Sequence, residues 1–306
     1  MRIIVTGGAG FIASHVVDAF IKDGHTVGVV DNLSSGKREN INPAAMFFEV
    51  DIRDKEKLDE VFDSFKPDII DHHAAQINVR YSVEDPVYDA SVNIIGSLNL
   101  LELSRKYQVK RIIFASTGGA IYGDAGGLAD ESTPTAPISP YGASKRSVEI
   151  YLGYYNSVFG LEYVALRYAN VYGPRQDPFG EAGVVAIFSE RILSGKPCVI
   201  YGDGEQTRDY VYVLDVVNAN VKALTAPVGI YNIGTSKETS VNDLVKILKT
   251  VSGLDFPVVY EAPRPGEVRR IALSYERANK LLNWAPGTSL IDGIRETFNY
   301  FASMKK

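Results

Sequence analysis

Ile3-Ile4-Val5-Thr6-Gly7-Gly8-Ala9-Gly10-Phe11-Ile12-Ala13 decides how the rest of the chain is read. A short β-branched run stops at a glycine turn. Apolar residues then recur at helical spacing through Ile12, Val16, Val17 and Phe20 until Gly24. Gly7, Gly10 and Ala13 stand at regular intervals across the turn. Glycine there lets backbone N–H groups approach a pyrophosphate, and the helix start behind it supplies positive potential. Ala13 is small enough for close helix–sheet packing, where a third glycine often stands. The turn is a candidate dinucleotide cradle, with Gly7, Gly10, Phe11 and Ile12 as its contacts.

Working outward, two periodicities alternate. Thr26–Val30, Met46–Val50, Asp68–Ile70, Arg111–Ala115 and Tyr163–Arg167 read as strands. Lys55–Phe65, Val92–Tyr107 and Tyr141–Phe159 read as helices. Near-continuous apolar strands between helices imply a parallel sheet buried on both faces. Right-handed crossovers then make it a doubly wound α/β sheet of the Rossmann type. Beyond Tyr168 the punctuation changes, with Pro174, Pro178, Gly180, Gly195, Pro197, Gly202 and Gly204 breaking the chain into short segments. Val241–Val251 reads as a helix, Pro257–Tyr260 as a short strand and Tyr275–Leu282 as a short helix, which implies a smaller mixed α/β C-terminal substrate lobe. The expected division is 1–167 for the dinucleotide domain, with a return segment near 208–234, and 168–207 plus 235–306 for the lobe.

The 306 residues carry 32 Lys+Arg against 37 Asp+Glu, a net charge of −5, which speaks against a nucleic-acid binder with its basic stripe. A 45% hydrophobic and 23% charged composition suits a globular enzyme. The one cysteine, Cys198, excludes an internal disulfide and a multi-cysteine zinc site, and no metal site is expected. With neither a leader pattern nor an apolar run of membrane-spanning length, the expectation is a cytoplasmic protein without a membrane partner.

Asp31 ends the second strand, where a carboxylate accepts from both hydroxyls of an adenosine ribose and repels a 2′-phosphate. Lys37-Arg38 nearby fit NADP, but the carboxylate points to NAD. Asp51-Ile52, after the third strand, are candidates for the adenine. Tyr141 and Lys145 stand four apart at a helix start and share a face. A free tyrosine, with a pKa of about 10, is a poor base; a nearby ammonium and an oxidised nicotinamide favour its phenolate. Such a group can take a hydroxyl proton while hydride leaves the same carbon. Ser116 and Thr117, at the end of the fifth strand, compete to hydrogen-bond the reacting oxygen.

The glycine turn, Asp31-Asn32-Leu33-Ser34-Ser35-Gly36, the Ser116-Thr117 pair and the Tyr141/Lys145 pair together resemble the extended short-chain dehydrogenase/reductase family, most closely its UDP-glucose 4-epimerases. Leu166–Pro174, Tyr201–Gly204, Gln206–Tyr210 and Arg264-Pro265-Gly266-Glu267 extend the likeness along nearly the whole chain. The resemblance implies NAD as cofactor and a catalytic trio of Thr117, Tyr141 and Lys145, with Lys145 also holding the nicotinamide ribose. It adds Asn32, Ser35, Gly36, Ala74, Ala75, Asn93, Ser116 and Tyr168 to the cofactor side. Asn170, Arg208 and Arg264 would hold the pyrophosphate of a UDP-hexose, and Glu267 its ribose. The implied reaction is C4 epimerisation of UDP-glucose and UDP-galactose through a 4-keto sugar. A homodimer through Val92–Tyr107 and Tyr141–Phe159 is implied as well, with Tyr151, Leu152, Tyr154 and Tyr155 available either to it or to the core.

Some positions depart from the family pattern. Ser116–Tyr122 is longer than usual by a residue, through Gly118-Gly119, and those glycines replace the acidic pair of the family's dehydratases. Ala169 stands for a frequent phenylalanine. Ile271 stands where some epimerases carry a tyrosine that narrows the sugar site, which would admit N-acetylated sugars. Alternatives are a UDP-glucuronate 4-epimerase or decarboxylase, for which Arg80 or Arg175 would meet the sugar carboxylate, and a catalytically silent NAD-sensing binding protein.

Overall fold

The computed structural model describes residues 1–179, 183–263 and 268–305. Its first half runs β1 (Arg2–Thr6), α1 (Phe11–Lys22), β2 (Thr26–Asp31), β3 (Met46–Glu49), α2 (Lys55–Phe65) and β4 (Ile69–His72). Then α3 (Val79–Glu84) and α4 (Pro86–Ala90) lead through a π-helical turn, Ser91–Ile95, into α5 (Gly96–Lys106). Next come β5 (Arg111–Thr117), α6 (Gly118–Ile121), β6 (Gly127–Ala129), α7 (Pro140–Phe159) and β7 (Glu162–Tyr168). The second half holds β8 (Asn170–Tyr172), α8 (Val184–Leu193), β9 (Cys198–Tyr201), β10 (Thr207–Arg208), β11 (Tyr210–Tyr212), α9 (Val213–Ala223) and β12 (Gly229–Ile233). It closes with β13 (Thr239–Ser240), α10 (Val241–Ser252), β14 (Val258–Glu261), β15 (Ile271–Leu273), α11 (Glu276–Leu282) and α12 (Leu290–Ser303).

Among the described residues seven strands form one parallel sheet in the order β12-β7-β5-β4-β1-β2-β3. The chain winds one way from β1 to β3 and the other way from β4 to β12. A ligand crevice therefore opens beyond the C-terminal ends of β1 and β4. Both faces are covered, so Ile3, Ile4 and Val5 have no exposed surface. One face packs on Val16, Val17 and Phe20 of α1 and Val216 of α9. The other packs on Phe62 of α2, Leu101 of α5 and Leu152 of α7. A separate cluster, including Tyr172, Phe188, Leu244 and Ile294, is the core of the second half.

Local chemistry sets the helix ends. The Asp54 carboxylate accepts from the Lys57 N–H at the start of α2. Ser139 caps α7 by accepting from the Gly142 N–H, Pro140 follows in the first turn, and Gly160 ends the helix at φ +71°.

The structure differs from the sequence expectations at specific points. The expected helix from Val92 is helical already from Pro86, with the π-turn inside it. That turn frees the Asn93 carbonyl, which accepts from Ser97 Oγ at 2.6 Å. Strand β4 continues through the polar Asp71 and His72, because His72 is caught between Thr6 Oγ1 (2.7 Å) and Ser97 Oγ (2.9 Å). Edge strand β12, beside β7, is absent from the strand reading. Leu152 and Tyr155 pack into the core, while Tyr151 and Tyr154 stay on the surface. Ile271 is buried with Ile121 and Leu273 in a small cluster rather than open to a pocket.

Candidate active site

The crevice at the switch point is a cavity of about 460 Å³. Gly7 forms its floor at φ +71°; a Cβ there would stand 2.8 Å from the Ala74 nitrogen, so only glycine fits. The Gly10 N–H bonds the Gly7 carbonyl and closes the turn at 2.9 Å. Gly10, Phe11 and Ile12 bring the start of α1 to the cavity, an anion-seeking end.

At the outer end Asp31 is 7% exposed. Its carboxylate accepts from the Ala9 and Leu33 N–H groups. Burial pushes its pKa up, and those two bonds pull it back. Gly36 passes so close that a Cβ would come within 2.9 Å of Asp31 Oδ2. Asn32 and Ser35 border the same end. Asn32 Nδ2 donates to Asp51, whose carboxyl is held down to about 2, chiefly by its hydrogen bond with Arg53. Ile52, Ala74, Ala75 and Tyr168 complete the wall.

At the inner end Lys145 is 3% exposed. Its ammonium donates to the Ala115 carbonyl at 3.0 Å and lies 5.9 Å from the centre of the Tyr141 ring. Burial lowers its pKa to about 8. The Tyr141 pKa is pushed upward, first by burial and then by the charge of Asp89. Among the protein's own groups, burial therefore acts against the phenolate that the sequence reading expects an ammonium and an oxidised nicotinamide to favour.

Ser116 and Thr117 separate clearly. Ser116 is buried and donates to Glu149 Oε1 at 2.7 Å, although it also borders the cavity. Thr117 is half-buried, its hydroxyl makes no hydrogen bond among the described residues, and it is not among the residues that border the cavity. A Cβ built on Gly119 would lie 4.0 Å from Thr117 Oγ1 and 3.7 Å from Asn170 Oδ1, so the hydroxyl and that amide flank the same small residue.

Asn93 does not border the cavity. It is 2% exposed and grips the Gln76 backbone, accepting from its N–H and donating to its carbonyl, each at 2.9 Å. Asp89, fully buried, accepts from Asn93, Gln76 and Ser144 and ties that loop to α7. Arg208, on β10, donates to its neighbour's carbonyl at 2.8 Å. Arg264 and Glu267 lie outside the described residues. Sequence reasoning did not pick out His73, Gln76, Asp89 or Gln176. For His73 and Gln76 the nearest signal in the sequence is the run His72-His73-Ala74-Ala75-Gln76, which follows a strand pattern and borders the crevice; Asp89 and Gln176 have none.

A model of the NAD dependent epimerase/dehydratase family matches residues 3–234. The chain belongs to that family. It is 44% identical over 310 residues to the UDP-glucose 4-epimerase of Mycolicibacterium smegmatis, covering 98% of each chain. The UDP-glucose 4-epimerase of Thermotoga maritima, solved with UDP-glucose, superposes with a TM-score of 0.98 at 52% identity over 100% of both chains. The UDP-glucose 4-epimerase of Thermus thermophilus, solved with NAD, gives 0.95 at 48% identity over 99% of both. Family membership makes the chain an NAD-dependent enzyme of the extended short-chain dehydrogenase/reductase type and accounts for the Rossmann-type sheet. Among the described residues no helix is long and apolar enough to cross a membrane.

Proposed function

We propose that the chain epimerises UDP-glucose and UDP-galactose at C4, with NAD along the glycine-turn crevice and the sugar between that crevice and the second lobe. One observation carries the reading. Lys145 and Tyr141 converge on the same cavity that the glycine turn and Asp31 line, with the uncommitted Thr117 hydroxyl at the end of the neighbouring strand. NAD, when bound, supplies the hydride acceptor and donor for C4 and a positive ring beside the phenol. Tyr141 takes the O4 proton and gives it back to O4 once the sugar has turned its opposite face to the crevice. Lys145 favours the phenolate and orients the nicotinamide ribose. Thr117 hydrogen-bonds the reacting oxygen. Asn170 and Arg208 hold the UDP pyrophosphate, joined by Arg264, and Glu267 holds the uridine ribose. The hexose turns while its diphosphate stays fixed.

Dehydration needs a second acid–base pair. Gly118-Gly119, which by the resemblance stand where the family's dehydratases carry that pair, supply no carboxylate. The glucuronate reading needs a cation at the sugar, but Arg80 is exposed on α3, and Arg175 is held against α1 by Asp18, bordering the cavity with the glycine turn. The silent-binder reading is disfavoured by the presence of both Tyr141 and Lys145. The same proposal divides the chain into a dinucleotide domain that recruits α9 and β12 and a lobe that takes the nucleotide sugar. It also includes a homodimer through α5 and α7, and a cytoplasmic location, where the free thiol of Cys198 is at home.

The test is incubation with UDP-galactose without added NAD, followed by sugar analysis. Interconversion with no net NADH supports the reading; a keto-deoxy sugar or a pentose overturns it. Tyr141→Phe should lower turnover by about a thousandfold or more while UDP affinity holds. Retention of most of the activity would remove Tyr141 as the base.

A further inference from the structure

The segment after β8 does something the reaction scheme does not use. Gly173-Pro174-Arg175-Gln176-Asp177 leaves the second lobe and crosses to α1. His15 Nε2 on α1 donates to the Pro174 carbonyl at 2.9 Å. Arg175 adopts φ +67°, a left-handed conformation that an arginine rarely takes without a reason. One arm of its guanidinium, Nη2, pairs with Asp18 Oδ2 on α1 at 2.8 Å. The other arm, Nη1, is buried with no hydrogen-bond partner. Gln176 follows the same pattern: Nε2 donates to the Val171 carbonyl at 3.2 Å, and Oε1 is buried without a partner. Both residues border the dinucleotide cavity together with Gly7, Gly10, Phe11 and Ile12.

A buried guanidinium arm left unpaired is costly, and its neighbours show which ligand would satisfy it. The pyrophosphate turn offers N–H groups and a helix start, but this stretch of α1 contributes no lysine or arginine ahead of Lys22. We propose that Arg175 reaches from the second lobe to pair with the pyrophosphate of the dinucleotide, with Asp18 holding the guanidinium in place and Gln176 bordering it. Asn170, the candidate contact for the substrate diphosphate, opens the strand just before this segment. One short stretch of chain thus carries both the Asn170 amide and the Arg175 guanidinium. The inference rests on the crevice being the dinucleotide site.

The test titrates the full-length chain, freed of bound nucleotide, with NAD⁺, ADP and adenosine. Arg175→Gln should weaken NAD⁺ and ADP about 10- to 100-fold and leave adenosine unchanged, which also shows that the variant is folded. Arg175→Lys should recover part of the ADP affinity, because it restores the charge without the fork. ADP binding by R175Q equal to wild type, or an equal loss for adenosine, overturns the proposal. Asp31→Ala tests the crevice separately. It should weaken adenosine; unchanged adenosine binding in that variant would move the dinucleotide elsewhere and remove the proposal's basis.

Discussion

At the end of β5 two adjacent hydroxyls have different surroundings. Ser116 points into the sheet–helix interface and donates its proton to Glu149, while Thr117 points toward Gly119 and Asn170. Strand geometry sends neighbouring side chains to opposite faces, so the two hydroxyls meet different partners. Ser116→Ala should cost about 1–3 kcal/mol in unfolding free energy, since it strips a partner from a buried carboxylate, with a small effect on turnover. Thr117→Val should leave stability nearly unchanged and lower kcat by about a hundredfold. Chemical denaturation and steady-state kinetics on both variants separate the roles; the reverse pattern would exchange them. The motif Ser116-Thr117 is legible in the sequence, but the choice between its members is not. It depends on Glu149, thirty-three positions away.

At the scale of elements, α7 carries more than its two catalytic candidates. Glu149, 2% exposed and one turn beyond Lys145, accepts from Ser116, from Arg167 through Nε (2.9 Å) and Nη2 (2.6 Å), and from Arg146. Arg167 donates on to Tyr122, whose hydroxyl bonds Asn232 on β12. One carboxylate thus ties α7 to β5 and β7, and a single chain of bonds reaches the sheet's far edge. Removing one partner of a buried pair leaves the other charge uncompensated. Arg167→Met should therefore destabilise by about 3–5 kcal/mol, read as a lower denaturation midpoint. A loss below about 1 kcal/mol would show that the network is not what holds α7 in place. The helix itself is legible from Pro140 and the apolar spacing behind it. Its polar buried face is not, because Glu149 looks in sequence like an ordinary solvated residue of a helix.

For the whole molecule, the unpartnered side of α7 matters most. Ile150, Tyr154 and Val158 are 59%, 50% and 57% exposed, and Phe159 is 44% exposed at the helix end. Such residues form a coherent apolar stripe, because they recur at helical spacing. In the proposed homodimer they are covered by a second copy. Tyr154→Glu combined with Ile150→Lys should shift the chain to a monomer in sedimentation, since both changes put charge at the middle of the stripe. If the doubly substituted chain sediments as the wild type does, the interface lies elsewhere.

Local sequence determined a great deal here. The glycine turn, the Asp31 strand end, the alternation that makes the sheet parallel and the Tyr141/Lys145 spacing all depend on neighbours a few residues apart, where periodicity and backbone geometry act directly. The tertiary structure alone decided the rest. It separated the surroundings of Ser116 from those of Thr117 and set Asn93 as a clamp on Gln76, which borders the cavity. It also brought the Pro174-Arg175 segment onto α1, where His15 meets a carbonyl 159 positions further along the chain. Each of those outcomes comes from burial and pairing between distant segments, and such contacts leave no spacing signature along the chain.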